Sequence, residues 1–171
     1  TLTRSRVLVG VTTVFATAAL APAAAAASAA APDGFQYEVT RTEDEWKSML
    51  SADEYDILRN GGTEWPLSSP LATDYREGSF ACKGCGLELY RSEWRVPLDK
   101  GWVFFTHSQP NAVLTDIDKA ANYAMQPGAE RTLIEVHCRR CGSHLGHILV
   151  VDRKLVHCVN GASLVFTPST A

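Results

Sequence analysis

Two cysteine turns constrain this chain more than any other feature of its sequence. Cys82-x-x-Cys85-Gly86 and Cys138-x-x-Cys141-Gly142 have the same spacing and the same glycine after the second cysteine. Each motif places two thiolates on one tight turn, and two such turns brought together form the tetrahedral arrangement that binds structural zinc. We therefore predict a four-cysteine zinc site that holds the chain near residue 82 against the chain near residue 138.

Disulfide bonds are the alternative for these cysteines, because the N-terminus is typical of an export signal. Arg4 and Arg6 precede an uncharged segment at 7–20, and an alanine-rich stretch with small-residue cleavage sites follows. We expect residues 1–31 to be a cleaved signal peptide. The protein would then be an exported bacterial protein, either periplasmic or secreted. A membrane anchor is the other interpretation, but this segment is rich in alanine and threonine rather than leucine.

A disulfide within one C-x-x-C turn is strained, so zinc is favoured even in an exported protein.

The rest of the chain is predicted to form one domain at 42–168, with an N-terminal extension at 32–41 and a C-terminal tail at 169–171. A chain of 171 residues that is 46% hydrophobic and 20% charged fits a single hydrophobic core. The formal net charge of −3 argues against a nucleic-acid partner. We also expect no membrane association after cleavage, and a monomer.

Local patterns predict a mainly β domain with short helices at its N-terminal edge. Thr42-x-x-Glu45 and Ser51-x-x-Glu54 are capping boxes, and the second helix is expected to end at Gly61-Gly62. After Gly78, short β-rich runs alternate with turn signals, which indicates antiparallel strands. The polar stretch 110–128 is predicted to be a loop with one helical turn. The predicted strands cover residues 79–81, 88–90, 102–105, 133–136, 148–151, 155–156 and 163–166.

The fifth cysteine has no partner of its own in the sequence. Cys158 precedes a polar turn, and His144-Leu145-Gly146-His147 lies one short hairpin upstream, so the hairpin can return an imidazole to the thiol. A free cysteine is often simply buried and inert, but a thiol beside a histidine is the usual composition of an activated nucleophile. We interpret Cys158 as a candidate nucleophile. For the two histidines, extra zinc ligation and an ordinary place in a polar turn remain the alternatives to a catalytic role.

Taken together, these motifs resemble the B-type peptide methionine sulfoxide reductases, as a divergent member, over residues 42–168. The run from Cys138 to His147 next to a zinc turn is the most specific part of the resemblance, and Gly101-Trp102 and Cys158-Val159-Asn160-Gly161 extend it. The resemblance implies two antiparallel sheets in a tent-like, partly closed arrangement. It also implies a structural zinc opposite the active site.

The same resemblance implies thiol-dependent reduction of protein-bound methionine-R-sulfoxide to methionine through a sulfenic acid on Cys158. The histidines would assist protonation of the sulfoxide oxygen. Because zinc and catalysis account for every cysteine, the sulfenic acid must be resolved by an external thiol, either an exported thioredoxin-like protein or a small thiol. The other implied partners are oxidised proteins. The implied site residues are the catalytic Cys158, His147, His144 and Asn160 and the substrate-binding Trp102 and Phe105.

Several positions depart from the family pattern. The run 101–105 replaces the usual Gly-Trp-Pro-Ser-Phe, Val156-His157 stands in place of Arg-Tyr, and the hairpin before Cys158 is short. Val151 occupies the place of an aspartate that commonly follows the second histidine, with Asp152 one step away. Two other functions therefore stay open. One is a catalytically impaired, zinc-stabilised module that binds oxidised or Met-rich segments, and the other is a zinc-ribbon-like interaction domain.

Overall fold

A computed structural model describes residues 34–118 and 133–170. The predicted signal peptide at 1–31 lies outside these residues. Within the described part of the chain, no helix has the length and apolar character needed to cross a membrane.

Two short helices open the domain, as the capping boxes predict. Helix α1 spans Glu43–Met49 and helix α2 spans Ala52–Asn60. In each, the hydroxyl of the residue before the helix accepts a hydrogen bond from the third helical residue, whose own side chain accepts from the capping residue. Helix α2 ends at Gly61, which adopts a left-handed conformation.

In the described residues, eight strands form two antiparallel sheets, which confirms the predicted fold class. One sheet has three strands in the order β2-β1-β8, and the other has five in the order β3-β7-β6-β5-β4. Short 3₁₀ turns occur at Pro70–Ala72, Ser92–Trp94 and Gly161–Ser163. The strands are β1 (Gly78–Cys82), β2 (Glu88–Arg91), β3 (Val103–Phe105), β4 (Val113–Asp118), β5 (Leu133–Cys138), β6 (His144–Val151), β7 (Lys154–Val159) and β8 (Leu164–Pro168).

Strand β4 corrects the prediction of a loop at 110–128. Val113–Asp118 pairs with β5 along its whole length, from Val113 opposite Cys138 to Asp118 opposite Leu133. The strand lies at the edge of the sheet and is largely exposed. An edge strand tolerates polar side chains, so the alternation that identifies half-buried strands is absent. The rest of the predicted loop, from residue 119, lies outside the described residues.

The main core lies between the two sheets and beneath the helices. Phe80 of the three-stranded sheet contacts Phe105 of the five-stranded sheet edge-on, with ring centroids 5.1 Å apart, and Tyr90 stacks on Phe105 at 4.2 Å. Trp46 and Leu58 close this core from the helices. A second, smaller apolar cluster contains Phe104 and Val156, and Phe104 lies between the core residues Val103 and Phe105 on β3. Because successive side chains of a strand point to opposite faces, this cluster lies on the other face of the five-stranded sheet.

Candidate active site and metal centre

The two cysteine turns bring four thiols together. Cys82 ends β1 and Cys138 ends β5, and each turn closes with a backbone hydrogen bond of 2.8 Å from the following glycine to the first cysteine. Those glycines, Gly86 and Gly142, have φ values of 73° and 68°. An L residue rarely adopts this left-handed conformation, which explains the shared C-x-x-C-G pattern.

The sulfur positions fit a metal ion. All four Sγ atoms lie within 4.8 Å of one another. The Sγ atoms of Cys82 and Cys141 are 3.7 Å apart, and those of Cys85 and Cys138 are 3.5 Å apart. A tetrahedral ion bound at about 2.3 Å requires sulfur–sulfur separations of about 3.8 Å, whereas a disulfide requires about 2.05 Å. Each of these two pairs joins one turn to the other, and the four thiols are free and arranged as a four-ligand site.

The candidate nucleophile lies in a row of side chains that crosses the five-stranded sheet. Cys158 of β7 is paired with Phe104 of β3 on one side and with His147 of β6 on the other. His147 is paired in turn with Glu135 of β5. Directly paired residues point to the same face of a sheet. The hairpin therefore sets the thiol beside an imidazole, as the sequence suggests.

Each histidine of the H-x-x-H motif bonds to a carboxylate from another strand of the sheet. Nδ1 of His144 lies 2.6 Å from Oε1 of Glu135, and Nε2 of His147 lies 2.8 Å from Oδ2 of Asp118. The two imidazole rings are 5.1 Å apart between centroids. Neither carboxylate was assigned to the site from sequence. Asp118 sits in the stretch expected to be a loop.

The aspartate next to the family position does not reach the histidine. Asp152 is in the tight turn between β6 and β7, where it and Arg153 have φ values of 47° and 65°. Its carboxylate forms an exposed ion pair of 3.2 Å with Lys100. The carboxylate bonded to His147 is instead that of Asp118, which comes from the edge strand.

Burial governs the protonation of the thiol. Desolvation, aided by the negative charge of Glu64, raises the pKa of Cys158 to about 12. Burial also lowers the pKa of His147, and the hydrogen bond to Asp118 acts in the opposite direction. At neutral pH the resting site therefore holds a protonated thiol beside a neutral imidazole.

We expect the thiol of Cys158 to react slowly with iodoacetamide at neutral pH, because only about 10⁻⁵ of it is ionised there. The rate should rise about tenfold per pH unit up to at least pH ~10. Mass spectrometry of the peptide that contains Cys158 measures this rate, and Cys158→Ser identifies the signal. A plateau near neutral pH would contradict a thiol that is protonated at rest.

A cavity of about 550 Å³ opens beside the thiol. Trp102 and Phe104 form its aromatic wall, and His147, Asn160 and Cys158 also line it. Its remaining lining is mainly aliphatic, from strands β5 and β6. Such a surface fits an apolar side chain with one polar centre.

Phe105 does not belong to this cavity, which corrects its assignment as a substrate-binding residue. Its side chain is fully buried between the two sheets, against Phe80 and Tyr90. Phe104 takes the expected place, because neighbouring residues of β3 face opposite sides of the sheet. His144 likewise lines no wall of the cavity. It is buried behind His147, and its Nε2 has no hydrogen-bond partner among the described residues.

Glu64 is bonded to two residues that line the cavity, Trp102 and Asn160. Its backbone amide donates to Oδ1 of Asn160 at 3.1 Å, and its carbonyl oxygen accepts from Nε1 of Trp102 at 3.3 Å. Its carboxylate accepts from the amides of Gly161 and Ala162 at 2.6 and 2.9 Å. Burial raises the pKa of this carboxyl, and the two amides oppose that shift. Glu64 was not among the site residues expected from the sequence.

Gly146 lets β6 and β7 approach each other at the site. A Cβ atom at this position would lie 2.0 Å from the carbonyl oxygen of Cys158. The next residue, His147, is paired with Cys158, so any displacement here separates the imidazole from the thiol. This contact explains the glycine inside the H-x-x-H motif.

Gly146→Ala should lower the free energy of unfolding by about 3 kcal/mol or more, because the added methyl group must push β7 away from β6. Urea denaturation measures this loss. Gly61→Ala is the matched control, since Gly61 also has positive φ, at 72°, but has nothing within 4 Å of an added Cβ. It should cost about 1 kcal/mol. Equal losses in the two variants would argue against a close approach at Gly146.

Comparison with known proteins agrees with this site. A family model described as the SelR domain matches residues 50–168. The peptide methionine sulfoxide reductase MsrB of Leifsonia xyli is 36% identical over 141 residues, which cover 78% of this chain and 94% of that protein. Peptide methionine sulfoxide reductase B3 of Arabidopsis thaliana is 34% identical over 149 residues, covering 83% and 76%. The MsrB of Leptospira interrogans is 34% identical over 133 residues, covering 76% and 96%.

Together with the fold and the cysteine cluster, these relatives define an oxidoreductase. More particularly, this chain belongs to the SelR domain family, the B-type peptide methionine sulfoxide reductases. Enzymes of this family act on oxidised proteins and consume a thiol reductant.

Proposed function

We propose that this protein reduces protein-bound methionine-R-sulfoxide to methionine, with Cys158 as the nucleophile. The observation that carries the proposal is the pairing of Cys158 with His147 at the wall of an apolar cavity bounded by Trp102. The methyl group and side-chain methylenes of methionine sulfoxide are apolar, and its oxygen is a strong acceptor. An aromatic wall with an imidazole at one side complements both parts.

The first half-reaction needs no group beyond those in the site. The sulfur of Cys158 attacks the sulfoxide sulfur, and the thiol proton passes through His147 to the sulfoxide oxygen. In the resulting adduct, the transient sulfur–sulfur bond and the bond between the methionine sulfur and the oxygen both break. The hydroxyl group bonds to the sulfur of Cys158 as a sulfenic acid, and methionine is released. The methionine sulfur gains two electrons and the cysteine sulfur loses two, so the step is balanced.

The second half-reaction requires an external thiol. Four of the five cysteines form the metal centre, so none remains to attack the sulfenic acid. An external thiol would displace water to form a mixed disulfide, and a second thiol would release Cys158. We propose export for this protein on the basis of its N-terminal sequence, and an exported thioredoxin-like protein or a small thiol as the donor.

We propose zinc as the metal of the four-cysteine site. Four thiolates suit this ion, and a site with four protein ligands leaves no position for substrate. The ion would supply structural cross-linking only, joining the end of β1 to the end of β5. Every chemical step stays with residues of the cavity.

An assay with dabsylated methionine sulfoxide and dithiothreitol tests the proposed function. The R epimer should be reduced and the S epimer should not, and a sulfoxide within a peptide should react faster than the free amino acid. Cys158→Ser, assayed beside it, should release no methionine. Reduction of the S epimer alone, or no reduction by the metal-loaded protein, would refute the proposal.

A specific observation also supports a second candidate, a module of the same fold that binds oxidised or Met-rich segments without reducing them. The thiol is protonated at rest, and Val156 lies buried beside the cavity in place of a guanidinium. This candidate predicts that a sulfoxide peptide binds at equilibrium with no methionine released. Calorimetry together with product analysis separates the two functions.

A further inference from the structure

The Asp118–His147 pair has a place in the fold that the sequence pattern does not suggest. His147 is on β6, two strands away from β4, which carries Asp118 at its last residue. Asp118 is paired with Leu133 of β5, and its side chain passes across that strand to Nε2 of His147 at 2.8 Å. The carboxylate that bonds to His147 therefore comes from across an intervening strand.

The pair is largely withdrawn from water. The side chain of His147 is 4% exposed and that of Asp118 is 18% exposed. A charge-assisted hydrogen bond is strongest in such surroundings. A carboxylate on Nε2 holds the proton there in the neutral imidazole, which leaves Nδ1 as the basic nitrogen. It also favours the imidazolium whenever Nδ1 takes up a second proton.

We propose that Asp118 is the positioning residue of the reaction, holding the His147 ring and stabilising its imidazolium while the proton moves from the Cys158 thiol to the sulfoxide oxygen. This inference rests on the proposed function. Nδ1 of His147 takes the thiol proton as the cysteine sulfur attacks, and it releases the proton to the oxygen as the sulfur–oxygen bond breaks. Asp118 stays ionised throughout and touches neither reactant.

The charged surroundings define the expected pH dependence. His147 faces Asp118 from β4, Glu135 from β5, His144 on its own strand and the thiol of Cys158 from β7. The reacting thiol and Nδ1 of His147 share one transferable proton, so activity falls when acid adds a second. Asp118 raises the pKa of His147 against the effect of burial. Removing its charge must therefore move the acidic limb of kcat/KM to lower pH and lower the plateau.

Asp118→Asn tests the charge while leaving an acceptor for Nε2. We expect kcat to fall about 10- to 100-fold with little change in KM, and the acidic limb to move down by about one pH unit. Asp118→Glu should recover part of kcat. Asp116→Asn is the matched control, because Asp116 is an exposed carboxylate on the same strand that bonds to the next backbone amide. Asp116→Asn should leave kcat and the pH profile unchanged.

A second readout does not depend on turnover. In an NMR titration, with His147→Gln used for assignment, the pKa of His147 should be lower in Asp118→Asn than in the wild type and in Asp116→Asn. Circular dichroism and metal content verify that each variant is folded. An unshifted histidine, or a loss expressed only in KM, would overturn the inference. If the wild type reduces no sulfoxide but the titration shifts as expected, the proposed function fails while the coupling of Asp118 to His147 stands.

Discussion

Cys82→Ser is expected to lower the melting temperature by at least about 10 °C and to reduce bound metal to well below one ion per chain. Serine is a poor ligand for zinc. The binding free energy of a structural zinc site, about 10–16 kcal/mol, stabilises the folded state. A domain is stable by only about 5–15 kcal/mol in total. Losing about 3 kcal/mol of the free energy of unfolding corresponds to a decrease of about 10 °C in the melting temperature.

Metal analysis and thermal denaturation of the purified protein measure this effect. Cys158→Ser is the matched control, because it removes a half-buried cysteine that lies outside the metal centre. It should keep the metal and the melting temperature. Disulfides within each C-x-x-C turn, found by mass spectrometry in metal-free protein of unchanged stability, would contradict a metal centre.

Cys158→Ser is expected to reduce the rate of sulfoxide reduction by at least about 10³-fold. A serine hydroxyl is a far weaker nucleophile than a thiol and cannot form a sulfenic acid. The fold should be unaffected, because the exchange is nearly isosteric on β7. The assay is methionine release from a peptide that contains the R sulfoxide, with dithiothreitol in excess.

His147→Ala and His144→Ala refine this result. His147 lines the cavity and is paired with the nucleophile, whereas His144 is buried behind it. The loss should therefore be greater for His147→Ala. Activity retained in Cys158→Ser would remove the thiol from the mechanism altogether.

The fold was largely predictable because its signals are local. Capping boxes mark the starts of both helices, and the strands from β1 to β3 and from β5 to β8 fall where β-rich runs lie between turns. Strand β4 was missed because its stability comes from pairing with β5, whose nearest paired residue, Leu133, is far along the chain from Asp118. Pairing with a strand that is distant in sequence gives a polar edge strand no recognisable residue pattern.

The site was predictable in part, for a similar reason. The register of the β6–β7 hairpin sets Cys158 opposite His147, and a short hairpin can be recognised from the sequence. The choice between Phe104 and Phe105 depends on which face of a short strand meets the core, and both are aromatic. Asp118 reaches the site across an intervening strand. The backbone of Glu64 bonds to Asn160 and Trp102, which lie beside a 3₁₀ turn and in a loop. Neither relation has a fixed spacing that a sequence motif can record.

Single turnover without added thiol tests the central claim most directly. The metal-loaded protein is mixed with an excess of a peptide that contains methionine-R-sulfoxide, and the methionine product and the protein mass are both measured. The account predicts one methionine per chain, one oxygen atom on Cys158 that a sulfenic-acid reagent traps, and full retention of the metal. A disulfide between Cys158 and a cysteine of the metal centre, with release of the ion, or an oxygen on another residue, would contradict it.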